Sequence, residues 1–151
     1  MPTVSDVLRA RRYPGRGIVV ARTRNGEWAC CYFLTGRSAA SQQRHFVADD
    51  GGVLVVDSRL DARPDVLRHY RAIVRRPGLL LVGNGDQVEP FADDLEGGMD
   101  AVAVWGKHTY EPDPPIFTPR VLAALEETSG EQVLRTAQRR RSQDRDYRHH
   151  L

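Results

Sequence analysis

Two runs of β-favouring residues flank Asn25-Gly26 in "GIVVARTRNGEWACCYFLTG", and this pairing constrains the chain more than any other feature. Asn-Gly suits the positive φ angles of a tight hairpin turn, so the two runs are expected to pair antiparallel. "RHFVADDGGVLVVDSR" repeats the pattern, with Asp49-Asp50-Gly51-Gly52 as the turn. "LLLVG" at 79–83 reads as a buried strand ending at Asn84-Gly85.

The period changes between these elements. In "RPDVLRHYRAIVRRPG", Val66, Leu67, Tyr70, Ile73 and Val74 fall on one helical face. Pro64 suits the start of a helix and Pro77-Gly78 its stop, so a helix is predicted there. "EPFADDLEGG" reads as a short helix, and "MDAVAVW" fits helix or strand equally. "RVLAALEETSGEQVLRTAQ" fits either two short helices or a hairpin turning at Thr128-Ser129-Gly130. "TYEPDPPIFTPR", residues 109–120, carries four prolines, which forbid a continuous helix and a central strand. A stiff, irregular segment is expected. The reading divides the chain into a domain over 1–130 and an arginine-rich polar tail over 131–151, expected to be mobile.

Length and composition exclude several classes. A chain of 151 residues suits one domain with its own core. No apolar run approaches the roughly 18 residues of a membrane span. "MPTVSDVLRARR" lacks the apolar segment of a signal peptide, so a cytoplasmic, non-membrane protein is expected. The net charge is +2, and arginine far outnumbers lysine. That balance suits phosphate-bearing ligands without demanding a nucleic acid. Residues 131–151 hold six arginines against three acids, but Tyr147 is their sole aromatic, so no nucleic-acid partner is expected.

Cys30 and Cys31 are neighbours on a strand and point to opposite faces, which suits neither a disulfide nor a metal clip. Buried or half-buried free thiols are expected. His45, His69, His108, His149 and His150 show no metal-ligand spacing, so neither metal nor other cofactor is predicted. No nucleophile-elbow, Walker or dinucleotide fingerprint occurs. Pro2 follows Met1, which leaves no N-terminal nucleophile after methionine removal.

Three segments set charged residues beside turn-forming backbone. "RYPGRG" places Arg12, Tyr13 and Arg16 around a Pro-Gly turn, as a site or as a plain entry to the first strand. "TGRSAASQQR" offers Arg37, Ser38, Ser41 and Arg44 to a phosphate or a developing oxyanion, although a solvated loop has the same composition. "GNGDQ" puts Asn84 and Asp86 beyond a buried strand, where ligand groups collect, yet Asn-Gly-Asp also suits a hairpin turn.

Together, "RYPGRGIVVARTRNG", "GRSAASQQR", "GNGDQ" and above all "TYEPDPPIFTPR" resemble the archaeal-type inosine monophosphate cyclohydrolases and their bacterial relatives. The resemblance runs in unbroken order from about Arg12 to Arg120. It implies an α+β fold, a four-layer α/β/β/α sandwich similar to N-terminal nucleophile hydrolases but used without the nucleophile. It also implies the last step of purine synthesis, in which 5-formamidoimidazole-4-carboxamide ribonucleotide closes its ring and loses water.

By that resemblance Arg37, Tyr70 and Glu111 match catalytic positions: Arg37 facing the oxyanion, Tyr70 contacting the reacting groups, Glu111 moving protons. Tyr70 also lies on the apolar stripe and fits the core. Arg16, Ser38, Arg44, Asn84, Asp86 and Arg120 match substrate contacts. The implied partner is a small purine nucleotide, with self-association left open. The resemblance stops before "RTAQRRRSQDRDYRHHL". A naturally short member or a fragment is therefore expected, lacking the later strands of the family. The alternative function is a non-catalytic purine-nucleotide-binding relative.

Overall fold

The first hairpin forms as its turn residues require. Strands β1 (Arg16–Arg22) and β2 (Trp28–Leu34) pair antiparallel, with Arg22 opposite Trp28. Gly26 sits at the turn with φ +81°, a conformation that costs glycine nothing. This pair is a two-stranded sheet of its own in the computed structural model, which describes residues 3–10, 15–36, 38, 39, 41–57, 69–141 and 147–150.

A second, seven-stranded sheet is an antiparallel meander in chain order. Its strands are β3 (Arg44–Asp49), β4 (Gly52–Asp57), β5 (Tyr70–Arg76), β6 (Leu79–Gly83), β7 (Arg120–Thr128), β8 (Glu131–Arg140) and β9 (Tyr147–His150). β3 and β4 are the second hairpin expected from sequence. Where β4 meets β5, the register shifts between Val53 and Leu54. Gly52 is required at this junction. Its φ is +136°, and a Cβ there would stand 1.9 Å from the Ile73 carbonyl oxygen.

The helix predicted over 63–78 is corrected by β5. Tyr70, Ala72 and Val74 are buried at alternate positions, a period of two that the helical stripe concealed. Strands β4 and β6 hydrogen-bond to both edges of this segment, and that pairing overrides the local helical pattern. Pro77-Gly78 is consequently the turn between β5 and β6, with Gly78 at φ +70°, not a helix stop. Residues 63–68 of the predicted helix lie outside the described residues.

The hairpin alternative holds at 120–140, where β7 and β8 turn through Ser129 and Gly130. The expected polar tail thus begins as the longest strand: Glu131–Arg140 pairs with β7 along its length, and Tyr147–His150 then pairs with β8. Edge backbone of β7 supplies partners that the side-chain composition does not advertise.

Helix α1 (Val4–Arg9) is closed by a capping box between Thr3 and Asp6. Helices α2 (Val88–Glu96) and α3 (Ala101–Lys107) lie against one face of the large sheet. Asp100 caps α3 by accepting from the amides of Val102 and Ala103, both at 3.0 Å. The ambiguous "MDAVAVW" is therefore helical from Ala101.

Strand alternation divides the core into two layers. Val74, Leu81, Leu122 and Ala124 pack against Val88, Phe91, Val104 and Trp105 of the helices. On the opposite face Val55, Tyr70, Ala72 and Val82 meet Tyr32, with Ile18 and Leu34 beside them. Neighbours Leu81 and Val82 thus serve different layers, as the pleat dictates. Burying each such side chain contributes about 1.5–3 kcal/mol. The result is a mixed α+β fold of antiparallel sheets and few helices, layered as helices, seven-stranded sheet and two-stranded sheet. Cys30 is half-buried and Cys31 exposed, both as free thiols, so the expected burial fails for Cys31. Among the described residues no helix is long and apolar enough to cross a membrane.

Candidate functional site

The proline-rich segment is irregular over 108–119, as its composition requires, and it folds onto itself. The Glu111 amide donates to the Thr118 carbonyl at 2.9 Å. Within that closure the Thr118 amide donates to Asp113 Oδ1 at 2.6 Å, and the Thr118 hydroxyl bonds the other carboxylate oxygen. Tyr110 and Phe117 meet edge to face, their centroids 5.4 Å apart. Stiff residues and paired backbone together fix where Glu111 points.

It points inward. Glu111 is 1% exposed, and its Oε2 accepts from Arg16 Nη2 at 2.5 Å. Arg16 is the first residue of β1, so the small sheet supplies the cation and the loop before β7 supplies the acid. Arg16 Nη1 also donates to the Asn84 carbonyl at 2.5 Å. Burial works against the Arg16 charge, but the Glu111 carboxylate and then Tyr70 more than offset it, holding the guanidinium protonated beyond its ordinary range. Burial pushes the Glu111 carboxyl above the usual carboxylate range, against the lowering pull of Arg16 and Arg120. The second oxygen of that carboxyl, Oε1, is buried with no hydrogen-bond partner among the described residues.

"GNGDQ" supplies the other wall. It is a connection from β6 into α2, not a hairpin turn. Asn84 Nδ2 donates to the Pro119 carbonyl at 2.7 Å, and Asn84 Oδ1 accepts from the Val121 amide at 2.9 Å. This locks the loop onto the start of β7. Arg120 opens that strand and is buried; its Nη1 bonds Asp86 Oδ1 and donates to Gln87 Oε1 at 2.6 Å. Arg120 Nε, like Glu111 Oε1, is buried without a partner among the described residues. Gly85 lies between these groups: a Cβ there would be 2.7 Å from both Gln87 Oε1 and Glu111 Oε1.

The structure therefore brings Arg16, Asn84, Asp86, Glu111 and Arg120 into one polar cluster, largely buried except at Asp86, at one end of strands β6 and β7. Tyr70 acts on the Arg16 charge, although the residue is on a strand and not a helix. Its side chain is 4% exposed and also packs in the core, so the two readings of Tyr70 coincide. Ser38 and Arg44 are not bonded into the cluster among the described residues. Ser38 Oγ meets Ser41 Oγ at 2.9 Å, and Arg44 Nε donates to the Ser41 carbonyl at 3.0 Å. The Arg44 charge does act on Tyr32, the neighbour of Tyr70. Arg37, Arg12 and Tyr13 lie outside the described residues.

Sequence reasoning missed two members. Gln87 is the N-cap residue of α2, yet its side chain makes no cap. Its amide group binds Arg120, Asn84 Oδ1 and the Val121 carbonyl instead. Tyr32 sits on β2, and its hydroxyl lies 2.7 Å from that of Tyr70. Gln87 belongs to the "GNGDQ" motif; Tyr32 carries no local signal beyond strand alternation.

A cavity of about 620 Å³ lies elsewhere, between α2, α3 and the far ends of β6–β8, with Leu79, Phe91, Trp105 and Glu127 in its lining. None of the cluster residues lines it. Its walls are mixed, with Leu79, Phe91 and Trp105 beside Arg76, Glu96 and Glu127. No group of histidine, cysteine and acidic residues among the described ones could hold a metal ion.

A comparison with curated proteins finds no match. The family described as IMP cyclohydrolase-like protein matches residues 13–145, a span that includes the first two hairpins, the "GNGDQ" loop, the proline-rich segment and all of β8. The chain belongs to the IMP cyclohydrolase-like protein family.

Proposed function

We propose that this protein interconverts 5-formamidoimidazole-4-carboxamide ribonucleotide and inosine monophosphate in purine nucleotide biosynthesis. One observation carries the reading beyond family membership. Glu111, nearly inaccessible, is held by Arg16 and presents an unpartnered carboxylate oxygen beside Gly85 and Arg120. Buried polar atoms are normally paired, so an orphan beside a glycine that keeps space open suits a ligand.

Ring closure needs what such a site can offer. The carboxamide nitrogen attacks the formyl carbon of the same molecule, forming a C–N bond while the formyl oxygen becomes a hydroxyl. That hydroxyl then leaves as water. Holding the two groups together can supply roughly 7–11 kcal/mol of the barrier. Glu111 would take the proton from nitrogen and return one to the departing hydroxyl, a task suited to a carboxyl raised toward neutrality. Arg37 would face the oxyanion, and Tyr70 would bond the reacting groups. Arg16, Ser38, Arg44, Asn84, Asp86 and Arg120 would position base, ribose and phosphate. None of these roles calls on a metal. The fold reading extends in the same way: the three layers described would belong to a four-layer α/β/β/α sandwich.

Turnover of the formamido nucleotide, followed by purine absorbance, tests the reading. Turnover that depends on Glu111 supports it. Inosine monophosphate binding without turnover would favour a non-catalytic binding relative, and absence of both would remove the proposal.

A further inference from the structure

Nη1 of Arg120 carries two protons and has two acceptors, Asp86 Oδ1 and, at 2.6 Å, Gln87 Oε1. The two holds differ in kind. The Asp86 side chain is 37% exposed, so water competes for it, whereas Gln87 is 2% exposed. Gln87 is also fixed in its turn. Its Nε2 donates to Asn84 Oδ1 at 3.2 Å and to the Val121 carbonyl at 3.3 Å. Those two groups accept and the guanidinium can only donate, so the amide has a single satisfied orientation. Turned over, it would set its own protons against Arg120 and its oxygen against two oxygens. One amide thus ties the tip of Arg120 to the backbone of the next residue, Val121.

We infer that Gln87 is a positioning residue for nucleotide binding, holding Arg120 by Nη1 so that Nε and the adjoining Nη2 serve the ligand. Arg120 Nε is buried and has no partner among the described residues. Together with Nη2 it forms the side edge of the guanidinium, which can meet two oxygens of one anionic group at once. Both Gln87 amide protons are used within the protein, so Gln87 acts through Arg120. The inference rests on the reading that makes Arg120 a nucleotide contact; the hold on Arg120 does not.

Gln87→Met, of similar length, leaves each partner another bond. Asn84 Oδ1 keeps the Val121 amide, the Val121 carbonyl keeps the Asn84 amide, and Arg120 keeps Asp86. Inosine monophosphate affinity by calorimetry should fall about three- to tenfold, the size of one lost hydrogen bond. The double variant Gln87→Met with Arg120→Met should bind no more weakly than Arg120→Met alone. Unchanged affinity with a lowered melting temperature would make Gln87 merely structural, and additive losses would overturn its action through Arg120. A second measurement needs only the parent. NMR with labelled arginine should show inosine monophosphate shifting the Arg120 Nε–H signal while the Nη1 signals stay in place; a shift at Nη1 alone, or none at Nε, would overturn the assignment. If the parent binds no inosine monophosphate, the nucleotide reading fails on its own and the free protein decides the hold. The Arg120 Nη1 protons should exchange slowly in the parent and faster in Gln87→Met. Rapid exchange in the parent, or equal rates in both, would overturn it.

Discussion

Arg16 Nη2 donates to Glu111 Oε2 at 2.5 Å, joining the first residue of the small sheet to a loop 95 positions later. The pair holds together two layers that share no backbone hydrogen bonds in the strand pairings described. It also pulls the Glu111 carboxyl downward, against the burial that raises it.

Glu111→Gln keeps the shape and removes the ionisable group. General acid–base catalysis typically contributes about 10²–10⁴-fold, so kcat should fall by that order while inosine monophosphate affinity changes little. The pH profile provides a second check. Burial raises the Glu111 carboxyl, so the acid limb of kcat should lie above the usual carboxylate range, with activity lost as pH falls through it. A rate within threefold of the parent, with stability intact, would leave Glu111 without a catalytic role.

Arg16→Met leaves the Glu111 carboxyl buried without its counter-charge. Removing one partner of a buried pair typically costs about 3–5 kcal/mol, and here the carboxyl would also be driven further toward its neutral form. Urea denaturation should show the loss, and combining Arg16→Met with Glu111→Leu should recover part of it. A single variant as stable as the parent would mean that the pair is not holding the layers together.

How much of this could be read from the chain depends on how local each cause is. Asn25-Gly26 and Asp50-Gly51 name their hairpins because a turn is a property of its own few residues. The prolines of 109–120 likewise foretold irregular backbone. Tyr70 was assigned to a helix because its segment satisfies both periods; strands β4 and β6, remote in sequence, decided between them. The same holds for β8, whose polar residues say little until β7 lies alongside. At the site, Glu111, Asn84 and Arg120 were legible through motifs. Gln87 and Tyr32 were not, since a glutamine in a loop and a tyrosine on a strand acquire meaning through their partners.

Gly85→Ala probes the space beside the orphan oxygen. The added carbon would stand 2.7 Å from Glu111 Oε1 and from Gln87 Oε1, and 3.3 Å from Arg120 Nη1. Each of these side chains is buried, so displacing one disturbs the others. Inosine monophosphate affinity by calorimetry should drop at least tenfold. Gly98→Ala, with open space around it but φ +83°, controls for a general effect of replacing a glycine and should bind normally. Equal affinity in Gly85→Ala and the parent would place the nucleotide elsewhere.

His108 gives the fold a dependence on acid. His108 is the C-cap residue of α3, its backbone amide donating to the Trp105 carbonyl, and its ring sits near Phe91 and Trp105, with centroids 6.2 and 5.9 Å away. Burial lowers its pKa from the ordinary 6.5, and the Arg120 charge adds to this, while Asp86 and Asp94 pull the other way and Arg139 assists. Between the lowered value and 6.5 the unfolded chain binds the extra proton. Stability from this group is therefore complete above pH 6.5 and is lost as pH falls through the folded value. Glu111, with its raised carboxyl, contributes the opposite slope, so the comparison must be made between variants. His108→Phe keeps a ring in place and removes the titration. Thermal unfolding followed from pH 7.5 down to about 5 should fall less steeply for His108→Phe than for the parent. Parallel curves for the two proteins would show that His108 does not carry this acid sensitivity.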